Sequence, residues 1–383
     1  MQNILYYYSS QQIHTGSPRV MMRLIEGLDR SCFSSKFLAG HEGDLCRELV
    51  NKGTEIIQGE THNIGTRSFY QHISNIRCLI RMLKREQISL VHVNELGWNT
   101  ELALAAFLGK IPVIFHIHNP ETLNKRNINC RIGTKYLFVS HSLARQCDAE
   151  SRLGGKAEIL YNPISVETFS QGKSIRSELG VPDNVHVVGT VAQICKRKGI
   201  DIFIATAVKL LKILPDTYFL VAGPDVAGEE DYAAEMRRRV RDEGMDKQFK
   251  FCGTRDDINN FLASLDIFFL PTRAEPFGMV IAEAMSARVP VVTSNVGGIP
   301  EIIPDRSFGV TADIEDNFFH QIIAKLLTET GRRESMAERG FERVNSLFSD
   351  SIFNNRIKQL YHLTTKRRSA RAGSPFSPEV IWD

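Results

Sequence analysis

The stretch EPFGMVIAEAM, Glu275 to Met285, sets two carboxylates eight positions apart across a Pro-Phe-Gly corner. Pro276 does not suit a helix interior and Gly278 permits a sharp entry. Glu275 is therefore predicted in a strand-to-helix loop, and Glu283 in the second turn of the helix that follows. In one unbroken helix the two would stand about 80° apart on the wheel. The loop instead lifts Glu275 towards a ligand while Glu283 looks back along the same side. Carboxylates so placed can each accept hydroxyl protons from one elongated polyhydroxy ligand. Between them lie the N–H groups of a helix start, which suit a phosphate. The competing reading is a pair of surface acids on a core helix.

The elements that must position this pair alternate β-rich apolar runs with helical patterns, the signature of parallel α/β units. NILYYYS, KFLAG, SLVHVNE, IPVIFHIHN and YLFVSHS read as strands of a first series, and VMMRLIEGLD and ELALAAFLG as helices. After ILYNPISVETF a second series begins, with strands VHVVGTVAQ, TYFLVAG, FKFCG, IFFLPT and PVVTSN. The expected organisation is two α/β domains, 1–168 and 169–349, joined near SQGKS. A helix over 350–365 and a basic tail over 366–383, predicted to be disordered, complete it. Two such halves are expected to bind a ligand at the carboxyl ends of their strands.

Composition narrows the classes. At 383 residues, with 43% hydrophobic and 24% charged content, each half is long enough for its own core. No apolar run reaches the roughly 18 residues of a spanning helix. The start, MQNILYYYSS, lacks a secretory signal, so a cytoplasmic location is expected. The seven cysteines are scattered, odd in number and free of CxxC, which argues against a disulfide framework and a cysteine zinc site. Residues 1–175 hold 20 Lys+Arg against 15 Asp+Glu, and the remainder 27 against 29. That falls short of a nucleic-acid footprint and suits a mildly basic face turned to an anionic membrane or substrate. QGKS lacks the leading glycine of a phosphate-binding P-loop, no GxGxxG follows the first strand, and HExxH is absent.

EPFGMVIAEAMSARVPVVTSNVGGIPEII resembles the E-x7-E signature of family-4 retaining glycosyltransferases, down to the following strand, the Gly-Gly turn and the Pro-Glu helix start. The resemblance implies the GT-B fold: two Rossmann-like domains with parallel sheets facing across a cleft. TGSPRVMMRLIEGL resembles the family's Gly-Gly-x-x-Arg loop, with Thr15 in place of the first glycine and Gly16 approaching the donor. VHVNE and VIFHIHNP resemble its strand ends, placing Asn94, Glu95 and His118; His118 is also readable as a structural strand-end histidine sharing a face with His116. VSHSLARQ and ILYNPISVETF resemble later segments, with Pro163 where glycine is usual. GTVAQICKRKGID resembles the loop carrying Arg and Lys: Lys198 matches, whereas Gln193 stands at the arginine position and leaves Lys196 or Arg197 to supply charge. Thr254 and Arg255 follow Phe251 in a segment resembling the nucleobase loop, and the C-terminal helix resembles the one that returns to the first domain.

The implied activity is transfer of a sugar from a nucleoside diphosphate, UDP first, to a hydroxyl acceptor, in polysaccharide, glycolipid or glycoconjugate synthesis. Glu283 is expected on the ribose and Glu275 on the transferred sugar, with Phe277, Gly278, Met279 and Val280 giving backbone contacts. His118, Lys198 and Glu275 are the expected catalytic residues, Lys198 stabilising the departing diphosphate and His118 contacting the donor sugar, while His14, Asn94, Glu95 and again His118 are expected on the acceptor side. With Lys198 and a helix start available and no Asp-x-Asp signature, no metal and no cofactor are expected. A non-catalytic GT-B nucleotide-sugar-binding protein is the alternative, and a phosphorylase or epimerase a third. Residues 67–86 carry Phe69, Ile73, Ile76, Ile80 and Leu83 at helical spacing among arginines and lysines. They read as a surface helix with its apolar stripe in the core, or as a peripheral membrane contact together with the basic tail.

Overall fold

The structure is a computed structural model that describes residues 1–11, 13, 16–124 and 127–370, the side chains of 367–370 excepted. Its chain sorts into two compact units. Among the described residues, the first comprises Met1–Val139, Ala144–Leu160 and the chain from Phe353 to Ala370; the second comprises Ser140–Leu143 and Tyr161–Ile352. The segment expected as a linker starts inside the helix Val166–Ser170 of the second unit, where Val166 and Phe169 are buried.

In the first unit, β1 (Gln2–Tyr7), β2 (Phe33–Ala39), β3 (Glu55–Gln58), β4 (Ile88–Val93), β5 (Val113–Ile117), β6 (Lys135–Phe138) and β7 (Ala157–Ile159) form one sheet. Its order is β3-β2-β1-β4-β5-β6-β7, every pairing parallel. In the second, β8 (His186–Val191), β9 (Thr217–Ala222), β10 (Phe249–Gly253), β11 (Ile267–Leu270), β12 (Val291–Ser294) and β13 (Val310–Ala312) run in the order β10-β9-β8-β11-β12-β13, again parallel. Central strands such as VIFHI and IFFL are buried along their whole length, because helices cover both faces of a parallel sheet. Strand order reverses between β1 and β4 in one sheet and between β8 and β11 in the other. Open sheets bind ligands at such switch points, beyond the carboxyl ends of their strands.

Two expectations are corrected. The C-terminal helix runs over Asp350–Ala370 rather than ending at 365. Its Phe353, Ile357, Tyr361 and Thr364 are buried at helical spacing, and no Pro or Gly interrupts KRRSA. Within the first unit, the Tyr361 hydroxyl lies 2.7 Å from Nδ1 of His92, and Lys358 pairs with Asp29 at 2.5 Å. The tail beyond Ala370 lies outside the described residues.

The segment 67–86 does form a helix, Phe69–Arg85, opened by a capping box between Ser68 and Gln71. Its buried face, however, is His72, Leu79, Met82 and Leu83, while Phe69 is 72% exposed. The rotation follows a polar anchor. The fully buried Glu101 accepts from His72 Nδ1 at 2.6 Å, Asn75 Nδ2 at 2.6 Å and the His62 amide at 2.9 Å. Nε2 of His72 accepts the Gly65 amide at 3.1 Å, so the proton sits on Nδ1. Turning the predicted stripe inward would strip a buried carboxylate of its partners.

Candidate active site

In the second unit the candidate groups cluster where β8 and β11 end. The chain leaves β8 through Gln193, makes the short turn Lys196–Lys198 and enters the helix Ile200–Leu211 at Gly199. Leaving β11, it passes Glu275 and enters the helix Met279–Ser286 through Gly278, at φ +111°. Lys198 Nζ meets Glu275 Oε2 at 2.5 Å, both side chains only 12% exposed. An ammonium and a carboxylate are thus fixed side by side at the mouth of a helix whose first N–H groups have no intrahelical acceptor. Glu283 lies one turn further in and is 2% exposed. Met279 and Val280 stand in the first helical turn, and Phe277 is buried, stacked on Tyr161 at 5.8 Å between centroids.

Glycines bring these loops together. At Gly199 a Cβ would lie 1.9 Å from the Pro271 carbonyl, and at Gly223 2.0 Å from that of Ala192. At Gly297 it would lie 2.0 Å from the Glu275 carbonyl, which accepts the Gly298 amide at 2.9 Å. The Gly-Gly turn is therefore the wall against which the Glu275 loop rests. Beside Gln193, where the resemblance leads one to expect arginine, lies Arg197, whose Nη2 donates to Gln193 Oε1 at 3.4 Å. Arg273 fixes the same loop by donating to the Lys196 carbonyl at 2.6 Å and to both oxygens of Asp201. Thr254 and Arg255 follow β10, two strands away from β8. The guanidinium of Arg255 is held by Asp257 and Glu178, and Thr254 is exposed.

In the first unit, Gly16 opens the helix Gly16–Glu26 after β1, Asn94 and Glu95 follow β4, and His118 follows β5. Asn94 Nδ2 donates to the Ser17 carbonyl at 3.0 Å, which leaves its Oδ1 to accept from His118 Nε2 at 2.9 Å. His118 then keeps Nδ1 as an acceptor, and that buried nitrogen has no partner among the described residues. Behind it lies the His116 ring, tilted against His118 with centroids 4.2 Å apart, and His92 packs edge-on to His116 at 5.5 Å. Burial holds all three rings neutral: His92 and His118 are pushed down to about 3, and His116 also well below the usual range. Glu95 accepts the Ser9 amide at 2.9 Å and the Ser9 hydroxyl at 2.8 Å. Burial nevertheless pushes its carboxyl up to about 7.

His14 and Thr15 lie outside the described residues. Ser9, Ser17, Gly223 and Arg273, which hold the candidate groups in place, were not singled out from sequence. Only Gly223 carried a signal, as a glycine directly after a strand. Among the described residues no cluster of three or more His, Cys, Asp or Glu could hold a metal ion, and no helix is long and apolar enough to cross a membrane.

Comparison with known proteins agrees with this architecture. Residues 14–168 match the family model "Glycosyltransferase Family 4" and residues 172–343 match "Glycosyl transferases group 1". The chain belongs to this family of glycosyltransferases with the GT-B fold. It is 32% identical over 143 residues to the O-antigen biosynthesis glycosyltransferase WclY of Escherichia coli, covering 37% of this chain and 38% of that protein. It is 29% identical over 211 residues to the lipopolysaccharide core biosynthesis glycosyltransferase LpsE of Rhizobium meliloti, covering 55% and 59%. The alignments thus span about four- to six-tenths of these relatives' length. Among solved structures, Anabaena Alr3699/HepE in complex with UDP and glucose superposes with a TM-score of 0.79 at 21% identity, covering 94% of this chain and all of that one.

Proposed function

We propose that the protein transfers a sugar from a nucleoside diphosphate-sugar, UDP-linked in the first instance, to a hydroxyl of a glycan or glycolipid acceptor, with retention at the anomeric carbon. The observation that carries this reading is the Lys198–Glu275 pair at the β8/β11 switch point, beside a helix start and one turn from Glu283. In the reaction the bond from the anomeric carbon to the diphosphate breaks and the acceptor oxygen bonds to that carbon. The acceptor's proton passes to the leaving phosphate oxygen. Lys198 and the first N–H groups of the helix Met279–Ser286 stabilise the charge that grows on the diphosphate. Glu275 accepts hydroxyls of the transferred sugar and Glu283 those of the ribose. Arg197, beside Gln193, supplies cationic charge that glutamine lacks. The relatives named for O-antigen and lipopolysaccharide core synthesis, and a structural neighbour bound to UDP and glucose, support the donor class and the pathway type.

A non-catalytic nucleotide-sugar-binding role is the second reading, motivated by the uncharged Gln193. One titration tests the first: UDP, GDP and ADP against wild type and Glu283→Ala, read as thermal stabilisation, because a ligand of the native state raises its melting point. One nucleotide is expected to stabilise the wild type, with the effect weakened in the variant. No stabilisation at millimolar nucleotide would remove the donor-site assignment. Binding with an intact donor after incubation with a broad acceptor panel would favour the second reading.

A further inference from the structure

The first unit contains a cavity of about 180 Å³ that none of the groups above accounts for. It opens at the carboxyl ends of three adjacent strands: Tyr8 follows β1, Gly40 and His41 follow β2, and Gly59, Glu60 and His62 follow β3. The two glycines lie side by side, the Gly59 amide donating to the Ala39 carbonyl at 2.9 Å. A Cβ at Gly59 would come within 2.9 Å of Leu38, and one at Gly40 would point to Glu60 at an ordinary 3.5 Å. The floor is thus bare backbone, as a site needs where a ring must approach closely.

The walls are polar and oriented. Glu60 takes both its side-chain partners among the described residues on one oxygen: Oε2 accepts from Arg67 at 2.9 Å and lies 3.2 Å from His62 Nε2. Its Oε1 has no partner among the described residues. The Arg67 guanidinium holds the carboxyl below its usual range, so the group is an ionised acceptor at neutral pH. The Tyr8 hydroxyl is steadied by Ser17 Oγ at 2.9 Å. An ionised carboxylate facing the cavity disfavours a phosphate or carboxylate ligand and favours hydroxyl donors. Carboxylate, imidazole and phenol around a backbone floor suit a neutral sugar ring, and the volume lies below the roughly 300 Å³ at which drug-sized sites begin.

We infer that this cavity is the acceptor subsite and binds one uncharged sugar ring of the glycan being extended, with Glu60 Oε1 taking its hydroxyl protons. The inference rests on the proposed transferase reading for the word acceptor, but its binding chemistry is separately measurable. The Ser9 wall links the cavity to Glu95 and hence to the end of β4. The test titrates the full chain with the methyl glycosides of glucose, galactose, mannose and N-acetylglucosamine by saturation-transfer NMR. At least one is expected to bind, with affinity reduced tenfold or more in Glu60→Gln and abolished in Gly40→Leu, whose side chain would fill the space. Gly40 is exposed and outside the left-handed region, so that variant should fold, and an unchanged melting point checks it. Glu283→Ala should bind the glycoside as the wild type does. The inference is overturned if no glycoside binds the wild type, or if binding survives in both cavity variants. Nucleotide stabilisation, scored on the same samples, separates the two claims: glycoside binding without it would sink the transferase reading and leave the sugar site standing.

Discussion

Glu95 carries the most testable side chain of the first unit. Its two hydrogen bonds from Ser9 favour the ionised carboxylate, yet desolvation outweighs them, with the nearby Glu121 adding to the rise. A carboxyl raised from 4.5 to about 7 favours the fold in its protonated form. That stabilisation is fully present below pH 4.5 and is lost as pH rises through about 7. Up to about 3 kcal/mol is at stake. Glu95→Gln, which cannot ionise, should therefore gain stability relative to wild type as pH goes from 5 to 8.5. A pH-independent difference between the two unfolding free energies would refute this. The neighbouring serine was not readable from sequence, because nothing in a Ser-Ser pair after a strand says which carboxylate it will meet. At Lys198 the sequence was more informative: a resemblance gave its place in the loop after β8, and its contact with Glu275 follows from β8 and β11 being adjacent. Lys198→Ala should lower the turnover number about 100-fold, the loss typical when one preorganised donor to a developing anion is removed. An unchanged turnover number in the presence of a competent donor and acceptor would exclude that role.

At the scale of elements, the loops of the second unit are held by glycines that no other residue can replace. Gly223 has φ +150°, and a methyl group there would strike the Ala192 carbonyl, directly before Gln193. Gly223→Ala should cost about 2 kcal/mol or more through backbone strain and displacement of the β8 loop. Nucleotide stabilisation should weaken along with it. Calorimetry with and without nucleotide reads both effects, and an unperturbed melting point would show that the loop has room to yield. The central strands of both sheets were legible because their runs are wholly apolar. The strands β3, β7 and β13 were not: each is an edge strand of three or four residues, and EIIQ, AEI and VTA carry too little periodicity to stand out. The cavity lined by Gly59, Glu60 and His62 was hidden for the same reason, since it begins where β3 ends. Likewise the core face of the helix Phe69–Arg85 is offset from the expected stripe: Leu83 belongs to both, Ile73, Ile76 and Ile80 are half-buried, and Phe69 is exposed. The position of its core face depends on His72 and Glu101, far apart in sequence and both polar.

The whole molecule should lose stability as pH falls below neutrality. His92, His116 and His118 stay neutral in the fold while the unfolded chain takes up protons near 6.5. Stability from these groups is present above pH 6.5 and is lost as pH falls towards 3. Glu95 acts in the opposite sense between 4.5 and 7 with one proton. From pH 6.5 down to 4.5 unfolding should therefore take up net protons, and stability should fall steadily over that range. Urea unfolding across that range measures the slope, and a flat profile would contradict it. One architectural fact bears on how such a molecule is made. The first unit is assembled from both ends of the chain: Tyr361, from the helix Asp350–Ala370, closes over Tyr6 and His92. A ribosome delivers the seven strands of that sheet long before the helix that seals them. The second unit, continuous from Tyr161 to Ile352 apart from Ser140–Leu143, is thus free to finish first, while the nascent first sheet waits with Phe33 and Tyr6 uncovered. For this chain the order of synthesis and the order of completion run in opposite directions.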